Sequence, residues 1–418
     1  MIIIESISLE ALCSTVALPS MGRIIKYSLR VIFVLCSTVL IWKYHSRRSI
    51  EDSSSIRKFA DTFRRNRCGN VFQTAKSLGI SWFNSNIHIS NGTNGIVIPV
   101  GEKYVALAHH AIRILRLMQC NLPIEIAFFG DSDLSSQARK TFEEYENVTC
   151  LDLSRRVEGG AALLGWTIKP FAILFSSFEH VLMMDADVVW LKNPELLFES
   201  LPFRKSGALF FIDRIQKKSD FDHRQWLSAI LPPLTGAQVQ QNQLYQGISD
   251  HHQESGVVLV DKSRHLHGLL ATCALNSLPR YRNEIQRHTH GEKETYWIGF
   301  EIAQEPYAFY DANVGTIGEA SKSRTKEEYL ICGHLLHFAA NGEPLWFNDG
   351  IVVNKHTNDL RAAKFTHFSR DGIWKDICLI SASVHQISTD LGNTLKTIIQ
   401  MWNDQLLEEK VLDTVNIV

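Results

Sequence analysis

The chain has 418 residues, a length that fits two to three domains, or one large α/β domain behind a small amino-terminal segment. Lys plus Arg number 43 and Asp plus Glu 44, and a net charge of −1 excludes a bulk electrostatic grip on nucleic acid. Hydrophobic residues at 45 % and charged residues at 21 %, with 24 glycines and 11 prolines, exclude a disordered, fibrous or low-complexity chain.

The first feature in chain order is the apolar run from Val31 to Trp42, VIFVLCSTVLIW. Its 12 residues are short for a membrane span; extension back to Ile24 gives 19 and takes in Lys26 and Arg30, which can snorkel to the headgroups. A cleaved signal peptide has an apolar region this short, and a buried core helix is a third reading. The flank from Lys43 to Arg48 offers no small-x-small cleavage site, so residues 24–42 are read as an uncleaved anchor. Charge does not orient it, because Arg23, Lys26 and Arg30 face Lys43, Arg47 and Arg48 across the run. Residues 1–23 are read as a tail, with Met21 as the expected initiator. Residues 43–85 are read as a stem, basic and polar in its first part, with the stretches Glu51 to Ser55 and Arg64 to Arg67.

Beyond the stem, strands and helices alternate. Gly95–Pro99 is a short apolar strand candidate, followed by helical periodicity over Lys103–Gln119. Leu122–Phe129 is the second strand, residues 135–146 a polar helix, and Val148–Leu153 the third strand. Lys169–His180 reads as a helix and Val181–Met184 as a fourth, fully buried strand. This alternation predicts βαβ units and a mainly parallel sheet, whose ligands bind at the carboxyl ends of the strands. No G-x-G-x-x-G or Walker-type loop is present, which argues against dinucleotide and P-loop chemistry.

The strongest local feature is Val181-Leu-Met-Met-Asp185-Ala-Asp187-Val-Val-Trp190, an apolar strand that runs into two acids one residue apart. Strand alternation would place both carboxylates on one face, where they repel unless a cation holds them. Oxygen ligands suit Mg²⁺ or Mn²⁺, which would bridge and neutralise a diphosphate leaving group. A solvated turn or helix cap is the plainer reading of such a pair. A second pair, Asp131 and Asp133, precedes a helix start, where Asp133 or Ser135 is expected as a cap. Six body cysteines form no C-x-x-C pair, so a zinc site is not expected, and their disulfide pairing is not readable. Asn91 and Asn147 head Asn-x-Thr acceptors, which matter only for a lumenal body.

Five ordered stretches together resemble the fungal Golgi α-mannosyltransferases of the α-1,3 type. They are Met183–Val188 with Asn193–Phe198; Ser206–Asp213; His251–Val258 with Asp261–His265; Gly291–Trp297 with Gly299–Glu301; and Cys332–Phe338 with Pro344–Asn348. The resemblance implies an α/β fold of the GT-A nucleotide-diphospho-sugar transferase type with a mainly parallel central sheet, behind a single amino-terminal transmembrane helix. It implies a type II Golgi membrane protein with a lumenal catalytic domain over residues 86–356 and a carboxyl-terminal extension of that domain over 357–418. GDP-mannose as donor, Mn²⁺ or Mg²⁺ as metal, glycans on glycoproteins as acceptors and retention of configuration come with it. The related α-1,2 branch shares much of the pattern. Whether the chain works in a transferase complex is not readable.

Roles follow by mapping onto the same stretches. Asp185, Asp187 and His337 would hold the metal, with His334 as the alternative histidine and otherwise a substrate contact. Asp185, Lys293, Ser255 and Gly256 would hold the nucleotide sugar. Glu254, Glu294 and Asp213 are the catalytic candidates, and Trp346 and Asn348 the acceptor platform. Each has a plainer alternative: a backbone-satisfied histidine, a helix-start acid at Glu294, a surface acid at Glu254, a solvated lysine, or core packing for Trp346. Two rivals remain at this point. A dehalogenase-type phosphatase also carries D-x-D after a strand, but Val188-Val-Trp190 does not supply its D-x-D-x-T pattern. A glycan-binding protein on a degenerate transferase fold is the other.

Overall fold

The computed structural model describes residues 55–415, apart from 67–70, 81, 84–86, 158–162, 164, 232–236, 311–313, 323–327 and 356–358. The chain divides into residues 1–52 and 53–418, and all described residues belong to the second unit. The anchor expected over 24–42 lies outside the described residues. Among the described residues no helix is long and apolar enough to cross a membrane.

The strands, in chain order, are β1 Ser90–Pro99, β2 Ile124–Phe128, β3 Val148–Asp152, β4 Phe178–Met184, β5 Val189–Trp190, β6 Ala208–Ile212, β7 Gln253–Asp261, β8 Ala308–Phe309, β9 Gly315–Lys322, β10 Tyr329–Phe338, β11 Pro344–Phe347, β12 Val352–Asn354, β13 Asp359–Ala362, β14 His367–Ser369, β15 Ile373–Lys375, β16 Cys378–Ser381 and β17 His385–Gln386. Seven of them build the central sheet in the order β3-β2-β1-β4-β7-β6-β8. The β1–β2, β2–β3, β1–β4 and β6–β8 pairings are parallel, while β7 runs antiparallel to both neighbours. The sheet is therefore mainly parallel, as the alternation of elements predicts.

Both faces of this sheet are buried, which explains the unbroken apolar strands. Val97, Val181, Met183, Val258 and Val260 enter one core, and Ile96, Ile98, Leu182, Met184, Val257 and Leu259 the other. The side-chain period of two does this sorting. The first core is closed by the helices Ile168–Phe175, Lys262–Ser277 and Thr295–Ala303, the second by Val105–Leu117 and the long helix Thr389–Val415.

Two sequence expectations change here, and an open alternative is decided. The stem reading fails from residue 55 onward. Ile56, Phe59, Ala60 and Phe63 are buried along a helix over 55–66, and Val71, Ala75, Trp82 and Phe83 follow them into the first core. Phe59 lies 5.0 Å from Tyr281 and Trp82 4.9 Å from Phe171, ring to ring. The i, i+3, i+4, i+7 spacing of the first four was present, and the basic residues between them masked it. The helix expected over Lys169–His180 ends at Phe175, because residues 178–180 join β4 beside β1. The helix after β2 starts behind Ser135, whose hydroxyl accepts from the Ala138 N–H at 3.2 Å, so Ser135 rather than Asp133 is the cap.

A second sheet runs β15-β16-β10-β9-β14-β17, with β11 on β10 and β5 on β11. Residues beyond 357 thus share a sheet with β9 and β10, and a Cys332–Cys378 disulfide ties β10 to β16. In the long helix, Trp402 is fully buried and donates to the Leu360 carbonyl at 2.9 Å. β5 is what positions the site. It begins at Val189, with three residues between it and Asp185, outside the central sheet, and pairs Trp190 with Trp346 and Val189 with Phe347. The turn that carries Asp185 and Asp187 therefore bridges the two sheets.

Candidate active site

Asp185 follows β4 directly, and its N–H donates to the Gly256 carbonyl at 2.8 Å, which prolongs the β4–β7 ladder by one residue. Two cavities meet there. One of about 870 Å³ is lined by Asp185, Glu254, Ser255, Lys293, His334 and Asn348 among others; one of about 330 Å³ lies at the carboxyl end of β1, against Pro99, Asp185 and Asp187. Tyr104, Trp166, Lys169, Asp185 and Lys355 belong to both walls.

Each acid of the pair holds an ammonium group. Lys169 reaches Asp185 Oδ2 at 2.8 Å and Glu292 Oε1 at 2.9 Å. Burial alone would lower the Lys169 pKa, but the two carboxylates outweigh it and hold it above its ordinary value. Lys355 contacts Asp187 Oδ2 and lies 2.7 Å from Asp349 Oδ1. Asp185, Asp187, Glu292 and Asp349 against Lys169 and Lys355 leave an excess of up to two negative charges, the full two when Asp185 is ionised. Burial among these acids lifts the Asp185 carboxyl to about 7 despite Lys169.

A second cluster also lines the larger cavity. Glu254 Oε1 accepts from Gly256 N–H at 2.8 Å and from Asn348 Nδ2 at 3.0 Å, while Oε2 accepts from Lys293 Nζ at 3.1 Å. Lys293 also reaches Asp213 Oδ2 at 2.9 Å. Burial would raise the Glu254 pKa, but the Lys293 ammonium above all, with His337 and Lys169 adding to it, holds it down to about 2, so the carboxylate is ionised at neutral pH. A Cβ on residue 256 would lie 3.0 Å from Glu254 Oε1 and 3.1 Å from Asn348 Nδ2, so glycine is what lets those two groups meet. Ser255 donates to Glu292 Oε1 at 2.8 Å and so ties the two clusters together.

The sequence-derived site is brought together in most of its parts, and three residues stand elsewhere. Glu294 is fully buried and off the cavity walls; its Oε1 accepts from the backbone N–H groups of His252 (2.8 Å) and Gln253 (3.1 Å), and its Oε2 from Trp297 Nε1. Its task is to hold the start of β7, and the acid of this stretch that lines the cavity is Glu292. Trp346 is also fully buried, opposite His337 on β10 and Trp190 on β5, with its ring stacked 4.0 Å from His337, so it is core rather than platform. His337 shares that burial and lines neither cavity. His334, three residues away and so on the opposite face of the strand, lines the larger cavity, within the electrostatic reach of Asp349 and Asp187. Burial lowers its pKa and keeps it a neutral imidazole. The alternative histidine therefore stands where the first choice was expected.

The donor set suits a hard divalent cation: carboxylate oxygens, a neutral imidazole and an excess of negative charge. Asp185, Asp187 and His337 do not form a closed trio. Among the described residues only Glu179, His180 and Asp261 bring three such ligand atoms within 4.8 Å of one another, at the other end of β4.

Sequence reasoning missed Lys169, Glu292, Asp349, Lys355 and Trp166. Lys169 was legible as a lone charge in an apolar helix start, and Glu292 and Asp349 adjoin residues already singled out. Nothing local marks Lys355. Trp166 is 53 % exposed on the shared wall, 5.2 Å from His290 ring to ring. Gly291, at φ +64°, lets it sit close, since a Cβ there would lie 2.8 Å from its ring.

A model of the mannosyltransferase family matches residues 93–339. Alpha-1,3-mannosyltransferase MNT2 of Saccharomyces cerevisiae is 26 % identical over 321 residues, covering 67 % of this chain and 56 % of its own length. Alpha-1,3-mannosyltransferase MNT3 of the same yeast is 25 % identical over 318 residues, covering 67 % and 50 %. The chain thus spans about half the length of these relatives. Among solved structures, the galactosyltransferase LgtC with donor and acceptor sugar analogs shares 12 % identity at a TM-score of 0.34, covering 53 % of this chain and 73 % of that one.

Proposed function

We propose that this chain, which belongs to the mannosyltransferase family, transfers mannose from GDP-mannose to mannose-containing glycans of glycoproteins through a GT-A-type site, with retention and in α-1,3 linkage. The observation that carries the reading is the position of Asp185 and Asp187 where the two cavities meet, at the carboxyl end of β4. The smaller cavity takes the nucleotide, and the larger one takes the acceptor glycan.

The residues divide the work by charge. Lys169 and Lys355 stand on the shared wall, where ammonium groups favour a diphosphate. Glu254, held ionised, has no proton to give; it stabilises the positive charge of an oxocarbenium-like transition state or attacks the sugar carbon from the opposite face. Lys293, itself anchored by Asp213, holds that carboxylate in place. Mn²⁺ or Mg²⁺ at Asp185 and Asp187 would supply neutralisation of the departing diphosphate. The α-1,3 linkage is favoured over α-1,2 by the names of the relatives. The proposed setting is the Golgi lumen, with residues 24–42 as the anchor. The Cys332–Cys378 disulfide and the exposed Asn91 and Asn147 support an oxidising, glycosylating compartment.

The test is GDP release by the purified full chain, in detergent, with Mn²⁺, an α-mannoside acceptor and a panel of sugar nucleotides. Turnover is expected from GDP-mannose above the others, and a fall of about 10³-fold or more in Asp187→Ala. Folded protein that is inactive with every donor across a broad acceptor panel overturns the reading in favour of a glycan-binding protein.

A further inference from the structure

Lys355 lies where two carboxylate oxygens from different parts of the chain converge. Asp187 Oδ2 comes from the turn after β4, and Asp349 Oδ1, 2.7 Å from the ammonium, from the turn after β11. The second turn is strapped on three sides. Asn348 N–H donates to the Leu335 carbonyl at 3.0 Å, Asn348 Nδ2 to Glu254 at 3.0 Å, and Gly350 N–H to the Asp187 carbonyl at 2.7 Å. Between these bonds Asp349 is held at φ +76°, a left-handed conformation unfavourable for a residue with a Cβ. Such a residue persists where its surroundings force it and where function uses it. Here it presents a second carboxylate beside Asp187.

The group that now fills the point of convergence is one flexible side chain, about a sixth exposed on the wall of both cavities. Its single charge leaves the two carboxylates it touches, Asp187 and Asp349, short of one positive charge. A hard divalent cation satisfies that shortage better than an ammonium group, and the two cannot hold the same oxygens at once.

We infer that Lys355 is an internal counter-ion that keeps Asp187 and Asp349 paired, and that it exchanges for a divalent cation, with Asp349 as a ligand of that cation. The inference rests on the transferase reading only for why such a cation is needed. Competition by Lys355 weakens the cation's apparent affinity in the empty protein by the fraction of time the ammonium is in place. Once displaced, the ammonium remains on the wall shared by both cavities, free to meet a diphosphate.

The experiment is a Mn²⁺ titration of the purified full chain without sugar nucleotide, free Mn²⁺ being read by electron paramagnetic resonance. Lys355→Met is expected to bind Mn²⁺ about tenfold or more tightly than the native chain, and Lys355→Arg about as weakly as the native chain. Asp349→Asn is expected to lose about tenfold or more. Equal affinity in Lys355→Met and the native chain overturns the inference, as does unchanged affinity in Asp349→Asn or no binding by any of them. Should Lys355→Met fail to fold, by circular dichroism, Asp349→Asn and Lys355→Arg carry the test alone. Exchange with no turnover from GDP-mannose rejects the transferase reading and keeps the inference; turnover with Mn²⁺ affinity indifferent to residue 355 does the reverse.

Discussion

Strand β4 carries acidic clusters at both ends, and the two ends serve different purposes. At its amino end Glu179, His180 and Asp261 bring their ligand atoms within 4.8 Å of one another, the tightest such grouping among the described residues. Each already has a local task. Asp261 caps the helix Lys262–Ser277 and accepts from Ser263 Oγ at 2.6 Å, His180 Nδ1 lies 2.7 Å from Asn94 Oδ1, and Glu179 accepts the Gly92 N–H. At the carboxyl end the acids stand further apart, hold lysines and open on two cavities. Closeness of acids is thus a poor guide to chemistry. The carboxyl ends of parallel strands splay around a cleft, whereas the amino end here is closed by a helix cap and a turn.

That comparison is broken most directly by Glu254→Gln, which keeps the shape and removes the charge. We expect kcat to fall about 10²- to 10³-fold in a variant that still folds by circular dichroism; full turnover in this variant removes Glu254 from the chemistry. The amino end should show itself in stability instead. Lys262, adjoining Asp261, is fully buried and donates to the Leu174 and Ser176 carbonyls. Burial pulls its ammonium down to about 7, with Glu125 opposing. Between about pH 7 and 10.5 the unfolded chain holds a proton at this lysine that the folded chain does not. Stability therefore rises with pH across that window, by up to about 1.4 kcal/mol per unit. Denaturant melts of Lys262→Met against the native chain should lose that slope, and parallel pH dependences would refute the assignment.

Trp166→Ala sharpens the picture at the open end. Its exposed ring on the shared wall is placed to stack on a sugar, so the acceptor KM should rise about tenfold while Trp166→Phe recovers most of the loss. Steady-state kinetics with varied acceptor decides it, and an unchanged KM would leave the ring without that role. The smallest effect is expected from Asp261→Ala, which removes the cap and should cost about 1 kcal/mol in a denaturant melt, with kcat/KM within about twofold. A large loss of turnover there would mean that the tight amino-end cluster takes part after all.

Much of the central sheet was legible because its strands are buried on both faces and read as apolar runs between polar helices. The second sheet was not. Its later strands β14 to β17 are two to four residues long and largely half-exposed, too short for a period of two to stand out. The helix over 55–66 was missed for the opposite reason, since a clear apolar stripe was hidden by abundant charge.

The site divides along the same line. Sequence alone determined the strand that ends in Asp185 and Asp187, the stretches that carry Glu254, Lys293 and Asn348, and the family that they resemble, because these signals are local and ordered. Only tertiary structure decided which members of those stretches reach the cavities. Glu292 rather than Glu294, and His334 rather than His337, depend on how the chain turns into its helix and on the face a strand presents. Asp349 and Lys355 needed the closure of one sheet on another: they meet Asp187 only because β5, outside the central sheet, pairs with β11. A contact between residues 168 positions apart is fixed by that pairing and has no local spacing to announce it.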